Sequence, residues 1–192
     1  MARVKGRDLP SERAFSPRSL SAAESADRMT PMSNPYRIMT VCTGNICRSP
    51  MAEFMVASAA AESGMAVEVD SSGTTAWEVG NHIDPRAAAI LAHHGITAAD
   101  HAAREFQPAW FAERDLILAL DTDHYDALLA LAPDAAAAAK VRMLRSFDPA
   151  VANAGTARQG ISDPWYGNAK DFEVSWDLIS AAIPGILAHA RG

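Results

Sequence analysis

The sequence is poor in cysteine, has no long apolar run and carries no excess of basic charge. Its only cysteines, Cys42 and Cys47, cannot form a disulfide framework, and so low a content is typical of a reducing, cytoplasmic compartment. No run approaches the roughly 18–20 apolar residues of a membrane span, so we expect no membrane association. Because 23 acidic residues outnumber 17 basic ones, the net charge of −6 disfavours nucleic acid as a partner.

A metal-binding pattern is also missing. The six histidines lack the spacing of a metal site, and the adjacent His93 and His94 face different directions on a predicted helix. Asp121 and Asp123 are more typical of a capped helix start than of a cation site. We therefore predict neither a metal nor a cofactor.

What the chain contains is the composition of one globular domain, with 49% hydrophobic and 21% charged residues. Residues 1–34 differ, since they are rich in Arg, Ser and Pro and lack the apolar core of about 7–15 residues that a secretory signal needs. We expect a flexible tail there and a domain over residues 35–192. A start codon assigned too early, at a site before Met29 or Met32, is an alternative, and the tail's acidic residues argue against a transit peptide.

From Tyr36 onward, predicted strands alternate with predicted helices. The strands cover residues 36–42, 67–72, 116–120 and 140–144. The helices cover residues 50–63, 85–94, 108–113, 122–132 and 171–189. Pro184 should kink the last helix or break it near Ile183. The alternation predicts an α/β, single-domain, three-layer fold, in which a central four-stranded parallel sheet has helices on both faces.

The segment from Cys42 to Pro50 follows the first predicted strand, at the end of the sheet where such folds bind ligands. Consecutive backbone N–H groups in a loop that contains Gly44 and precedes a helix form a nest for an oxyanion. Arg48 adds a planar guanidinium that matches phosphate oxygens, and these donors would hold Cys42 as a nucleophilic thiolate. The pattern predicts a phosphate-binding loop after strand 1, in which the Cys42 thiolate attacks phosphorus. On spacing alone, Cys42 could also be a small buried apolar residue.

The nine residues CTGNICRSP at 42–50 resemble the signature loop of the low molecular weight protein tyrosine phosphatases. Similarity to the family extends from about residue 36 to 190, and DPWYG at 163–167 resembles the family's acid loop. The segments at 69–80, 84–96 and 101–104 are similar as well. The resemblance implies hydrolysis of phosphotyrosine in proteins through a phosphocysteine intermediate.

The resemblance also implies a role for each matching residue. Cys42 would be the nucleophile, Arg48 would hold the phosphate oxygens, and Asp163 would act first as general acid and then as general base. The implied phosphate-binding residues are Thr43, Gly44, Asn45, Ile46, Cys47 and Arg48. The implied supporting residues are Ser49, Ser71 and His101, and the implied walls of the substrate pocket are Ile46, Trp77, Trp165 and Tyr166.

Chemistry supports two of these roles independently. A phenolate leaving group gains from a proton donor, which a loop aspartate such as Asp163 can provide, and aromatic walls suit a flat phosphoaryl ring. Taken alone, Asp163 could start an ordinary turn, and Trp77 or Trp165 could belong to the core.

Cys47 is open to two interpretations. It is either a small loop residue or a redox partner whose disulfide with Cys42 would shield that sulfur from irreversible oxidation, as the family resemblance implies. The chain also departs from the family at Trp165, where a tyrosine is frequent, and at His124, where an asparagine is frequent.

Other functions stay open at this point. An arsenate reductase of the same fold needs a further cysteine pair, and no cysteine follows Cys47. A module that only binds phosphorylated ligands would lack Cys42 or Asp163, and a plain redox protein would favour a C-x-x-C spacing. The partners we expect are phosphotyrosine-containing proteins, a bacterial tyrosine kinase among them, for a monomeric or weakly self-associating enzyme.

Overall fold

The computed structural model describes residues 34–98 and 100–192. The tail predicted over residues 1–34 lies outside the described residues except for Asn34, and its flexibility stays a prediction. Within the described part of the chain, no helix is both long and apolar enough to cross a membrane.

Strands and helices alternate along the described chain as the sequence pattern predicts. The four strands are β1 (Tyr36–Cys42), β2 (Val67–Gly73), β3 (Leu116–Ala119) and β4 (Val141–Met143). The helices are α1 (Arg48–Glu62), α2 (Pro85–His93), α3 (Trp110–Glu113), α4 (Thr122–Leu131), α5 (Ala135–Ala139) and α6 (Ala169–Ala190). Short 3-10 turns cover Leu144–Phe147, Thr156–Arg158 and Pro164–Tyr166.

The strands form one parallel sheet in the order β2-β1-β3-β4. Because successive strand residues point to opposite faces, β1 contributes to two separate cores. Ile38 packs in the core that α1, α2 and α6 cover, whereas Met39 and Val41 pack in the core beneath α3, α4 and α5. The three-layer α/β prediction is confirmed.

Helix α2 begins where its sequence signals place it. The Asp84 carboxylate accepts a hydrogen bond from the Arg86 N–H, and Pro85 occupies the first turn, where its missing N–H costs nothing. Helix α4 is capped in the same way by Asp121, which accepts from the Thr122 N–H. The cap interpretation of Asp121 is thus confirmed.

The structure overturns the predicted start of α1 and the predicted break in α6, whereas the kink at Pro184, given as the alternative to that break, stays a prediction. Helix α1 begins at Arg48 rather than at Pro50, so the guanidinium-bearing residue belongs to the first turn. Helix α6 has no break near Ile183 and runs through Pro184 to Ala190. Its buried side chains on both sides of the proline, Ile179 and Ile186, fix the helix to the core and offset the lost hydrogen bond.

Candidate active site

The loop of residues 42–48 leaves the carboxyl end of β1 and enters α1. Most of its carbonyl oxygens accept hydrogen bonds from outside the loop: Cys42 from Thr74 N–H, Thr43 from Thr75 N–H, Asn45 from His101 Nε2, Ile46 from Asp84 N–H and Cys47 from Met51 N–H. The N–H groups of residues 43–48 have no acceptor among the described residues. With its carbonyls bound elsewhere, the loop leaves a row of free donors at a helix start, which is the arrangement that binds an oxyanion.

Cys42 lies at the base of this loop, and the residue is only 3% exposed. Its one hydrogen-bond partner among the described side chains is the Ser49 hydroxyl, 3.0 Å away. The Ser49 oxygen also accepts a hydrogen bond of 2.9 Å from Asn45 Nδ2. The single hydroxyl proton of Ser49 is within reach of two acceptors, the Cys42 sulfur and the Ser72 carbonyl at 3.2 Å, and when it points at the sulfur it stabilises negative charge there.

Asn45 is fully buried and holds the loop from within. Its backbone has a φ of 60°, in the left-handed region that few residues other than glycine adopt. Its amide donates to Ser71 Oγ at 2.8 Å, and its side-chain oxygen accepts from the Arg104 N–H at 3.0 Å. His101 Nε2 completes the set with a 2.7 Å bond to the Asn45 carbonyl. Ser49, Ser71 and His101, the predicted supports, all meet at this residue.

Two titratable groups lie beneath the loop. Burial lowers the pKa of His101, so its imidazole is neutral and can donate from Nε2. Glu53 projects from α1 toward the underside of the loop and accepts from Ser71 Oγ. Burial raises the pKa of this carboxyl.

Arg48 is 3% exposed, and it lines the same pocket as Cys42. One terminal nitrogen donates to the Ile161 carbonyl at 3.0 Å, and the other donates to Asp163 Oδ2 at 2.7 Å. Asp121 Oδ2 is 3.8 Å from the first of these nitrogens. The buried Arg48 Nε has no protein partner in the described chain. The guanidinium thus keeps a free donor next to the unpaired loop N–H groups.

Asp163 stands at the start of the 163–167 loop and is bonded through both oxygens. Oδ2 accepts from Arg48, while Oδ1 accepts from the Trp165 N–H at 3.1 Å and caps the 3-10 turn Pro164–Tyr166. Asp163 is therefore both a turn former and a hydrogen-bond partner of Arg48. The two interpretations of Asp163, as a residue of the site and as the start of a turn, do not exclude each other.

A pocket opens above Cys42 between the 42–48 and 163–167 loops. Its lining residues are Cys42, Thr43, Gly44, Ile46, Cys47, Arg48, Trp77, Glu78, Asp163, Trp165 and Tyr166. Trp77 is 80% exposed, Trp165 44% and Tyr166 90%, which excludes the interpretation that either tryptophan is a core residue. All four predicted wall residues lie here, and Glu78 is an additional one that sequence reasoning missed.

Cys47 is buried beside Cys42 in the same pocket. Burial is the main cause that raises the pKa of its thiol, and the nearby Asp84 adds to the effect. The resting Cys47 is therefore a neutral thiol. The disulfide with Cys42 stays a prediction.

His124, noted in the sequence only as a departure, contacts the site from α4. Its Nε2 lies 2.8 Å from the Thr43 hydroxyl, and its Nδ1 is buried without a partner in the described chain. Burial and then the charge of Arg48 lower the pKa of His124 to about 4. A neutral imidazole therefore borders the loop at neutral pH. No short-range signal in the sequence pairs positions 43 and 124.

Comparisons with known proteins agree with this geometry. Residues 37–191 match the family of low molecular weight phosphotyrosine protein phosphatases. A low molecular weight protein-tyrosine-phosphatase of Streptomyces coelicolor is 49% identical over 158 residues, which cover 81% of this chain and 94% of that protein. The chain belongs to the low molecular weight phosphotyrosine protein phosphatase family.

Solved structures of low molecular weight phosphatases share the fold. A protein tyrosine phosphatase of Entamoeba histolytica is similar with a TM-score of 0.73 and 27% identity, over 80% of this chain and 95% of that one. Wzb of Vibrio vulnificus, solved with benzylphosphonate, is similar with a TM-score of 0.67 and 26% identity, over 81% and 97% of the two chains.

Membership of this phosphatase family favours the phosphatase over an arsenate reductase of the same fold. The chain has two cysteines, and both lie in the 42–48 loop, so a third thiol for a disulfide relay is missing. Within residues 34–98 and 100–192, no three His, Cys, Asp or Glu side chains are grouped as metal ligands.

Proposed function

We propose that the chain hydrolyses phosphotyrosine in proteins, with Cys42 as nucleophile, Arg48 as phosphate clamp and Asp163 as general acid and base. One observation carries this proposal. A buried sulfur lies at the base of a loop whose N–H groups at residues 43–48 have no acceptor in the described chain, and the Arg48 guanidinium of the same pocket bonds the Asp163 carboxylate at 2.7 Å. Nucleophile, oxyanion donors and proton donor therefore line one pocket.

In the first step, the Cys42 thiolate attacks phosphorus and the bond from phosphorus to the phenolic oxygen breaks. Asp163, at the open side of the pocket, gives its proton to that oxygen, which leaves as the phenol of tyrosine. The loop N–H groups and Arg48 bind the equatorial oxygens and stabilise the charge of the transition state. The product on the enzyme is phosphocysteine.

In the second step, the Asp163 carboxylate takes a proton from water, and the oxygen of that water attacks phosphorus. The sulfur–phosphorus bond breaks, and inorganic phosphate forms. Ser49, 3.0 Å from the sulfur, donates to the departing thiolate. Asn45 bonds the same hydroxyl oxygen and so keeps Ser49 in place.

The pocket walls support phosphotyrosine rather than phosphoserine as the substrate. Trp77, Trp165 and Tyr166 present exposed ring surface at the rim, and Ile46 adds an apolar floor. A phenyl ring can stack on such walls, whereas the short side chain of phosphoserine would reach neither the walls nor the sulfur. Benzylphosphonate, with which Wzb of Vibrio vulnificus was solved, joins an aryl ring to a phosphonate, which resembles the phosphoryl group of phosphotyrosine.

We extend the proposal to the partners and the compartment. Phosphotyrosine proteins are the substrates, and an autophosphorylated bacterial tyrosine kinase is one candidate among them. Cytoplasmic location is supported by the two free thiols, because a reducing compartment keeps such thiols active.

Trapping of the intermediate tests the proposed chemistry. The enzyme is mixed with p-nitrophenyl phosphate in EDTA, quenched in acid within milliseconds and digested for mass spectrometry. We expect a phosphoryl group on the peptide that contains Cys42 and full hydrolysis despite the chelator. Hydrolysis that stops in EDTA, or that proceeds while Cys42 is never phosphorylated, would contradict the mechanism. Matched phosphotyrosine and phosphoserine peptides of one sequence test the substrate class.

A further inference from the structure

The 163–167 loop has a second attachment besides Arg48. The Arg86 guanidinium donates to the Gly167 carbonyl at 2.9 Å and to the Trp165 carbonyl at 3.2 Å. Its central carbon also lies 5.9 Å from the centre of the Trp165 ring and 4.7 Å from that of Phe172, on α6. Arg86 therefore contacts the backbone of the loop at Trp165 and Gly167, two and four residues after Asp163.

The same guanidinium is bound to Asp84 through two parallel hydrogen bonds. Arg86 Nε donates to Oδ1 at 3.0 Å, and a terminal nitrogen donates to Oδ2 at 2.8 Å. Asp84 is 6% exposed. Its N–H donates to the Ile46 carbonyl at 2.8 Å. A continuous series of bonds thus runs from the 42–48 loop through Asp84 and Arg86 to the 163–167 loop.

We propose that Arg86 is a positioning residue, which bridges the two loops and holds Asp163 at the distance from Cys42 that proton transfer to the leaving group requires. The proposal rests on the proposed function, in which Asp163 is the general acid. Arg86 touches no reacting atom. It acts through the carbonyls of Trp165 and Gly167, which lie within four residues of Asp163 along the chain.

The chemistry of the two groups suits a fixed bridge. Burial alone would raise the pKa of Asp84, but the hydrogen bonds from the Arg86 side chain and backbone outweigh it and lower the pKa. Asp84 is therefore ionised at neutral pH. A guanidinium is planar and offers five donors, so it can bind a carboxylate on one edge and two carbonyls with its other donors. A lysine ammonium is a single point charge that cannot span these four acceptors.

Misplacement of the acid has a specific kinetic signature. A leaving group that departs easily needs little protonation, whereas a poor one depends on the acid. Arg86→Met should lower kcat/KM about 10- to 100-fold for phenyl phosphate and much less for p-nitrophenyl phosphate, because small displacements of a catalytic group have large effects. A general structural defect would lower both rates alike.

The test compares Arg86→Met, Arg86→Lys and Asp163→Asn on a series of aryl phosphates, with Arg37→Met as the matched control. Arg37 pairs with Glu68 on an exposed part of the opposite end of β1, so its loss should not affect the rates. Arg86→Lys should recover only part of the rate that Arg86→Met loses. In an Asp163→Asn background, Arg86→Met should cause little further loss, since no acid is left to position.

The outcomes distinguish a failure of the acid assignment of Asp163 from a failure of the bridge by Arg86. If Asp163→Asn lowers the rates equally for all leaving groups, the acid assignment itself fails. If Asp163→Asn shows the dependence but folded Arg86 variants do not, or if Arg86→Lys recovers the full rate, the bridge is overturned while the proposed function stands. Thermal unfolding of each variant shows that it is folded.

Discussion

The 42–48 loop and the 163–167 loop face each other across one pocket but are built differently. The first is buried, and hydrogen bonds hold most of its carbonyls as well as the side chain of Asn45. The second is largely exposed, and its contacts outside its own turn come mainly from Arg48 and Arg86. The rigid loop can offer oxyanion donors before substrate arrives, whereas the exposed loop depends on two arginines for its place.

The largest effect should come from the sulfur in the buried loop. Cys42→Ser should lower kcat by about 10,000-fold or more, because a serine hydroxyl in this loop has no adjacent base to activate it. Binding of inorganic phosphate should persist, since the loop N–H groups and Arg48 are unchanged. Steady-state kinetics and phosphate titration by calorimetry measure the two quantities. Substantial turnover by the purified variant would show that another group attacks phosphorus.

A smaller loss is expected in the exposed loop. Asp163→Asn should slow hydrolysis of phenyl phosphate about 100- to 10,000-fold, the range typical of a general acid, and should affect activated esters less. The asparagine keeps the hydrogen bond that caps the 3-10 turn, so folding should be preserved. The slope of log kcat/KM against the leaving-group pKa is the measured quantity. A slope that matches the wild type would remove Asp163 from the mechanism.

Stability should also distinguish the two loops when one asparagine is replaced in each region. Asn45→Ala removes several buried hydrogen bonds and places alanine at a φ of 60°, so we expect the free energy of unfolding to fall by about 3 kcal/mol. Asn168→Ala, just after the exposed loop, removes only the cap of α6, and about 1 kcal/mol should be lost. Urea denaturation measures both. Equal losses would contradict the contrast between the loops.

The pH dependence of stability should show the neutral histidine behind the buried loop. Because the pKa of His124 is about 4 in the folded state and about 6.5 when unfolded, the unfolded state binds more protons between these values. The free energy of unfolding should therefore fall as pH drops from 7 to 5, by about 2 kcal/mol from this residue, and the loss should level off below pH 4.

The groups that face this imidazole are Arg48, Asp121 and the Thr43 hydroxyl. His124→Asn cannot titrate and can still bond Thr43, so it is the matched control. Its stability should decline less on acidification than that of the wild type. Parallel curves for the two proteins would mean that His124 does not titrate in this range.

The smallest effect concerns Cys47. After mild peroxide treatment, the wild type should regain activity with dithiothreitol, because a disulfide between Cys42 and Cys47 would protect the nucleophile. Cys47→Ser should recover a clearly smaller fraction of its own untreated activity. Recovery equal to that of the wild type would leave Cys47 as a small loop residue.

The sequence predicted those parts of the molecule that depend on neighbours along the chain. Strand β1 has the predicted bounds, Asp84 and Asp121 cap the predicted helices, and the 42–48 loop lies at the end of a strand. Local spacing carries this information, because a nest, a cap or a strand is decided by a few consecutive residues.

Contacts between distant residues could not be read in the same way. The approach of His124 to Thr43, the bond from Arg48 to the Ile161 carbonyl and the bridge by Arg86 join positions 79 to 113 residues apart. These contacts join the 42–48 loop to α4 and to Ile161, and α2 to the 163–167 loop, so they depend on tertiary packing and no residue pattern predicts them. The continuation of α6 through Pro184 could not be predicted from local sequence either, because the buried faces of α6 decide it.

The amino-acid sequence alone thus predicted the type of sheet and the anion-binding loop. It also predicted which residues supply the sulfur, the guanidinium and the carboxylate of the site. Only the tertiary structure decided that the carboxylate rests on the guanidinium, that Trp77 and Trp165 are exposed, and that Arg86 joins the two loops. The reason is physical: hydrogen bonds and burial act over a few ångströms in space, whatever the separation along the chain.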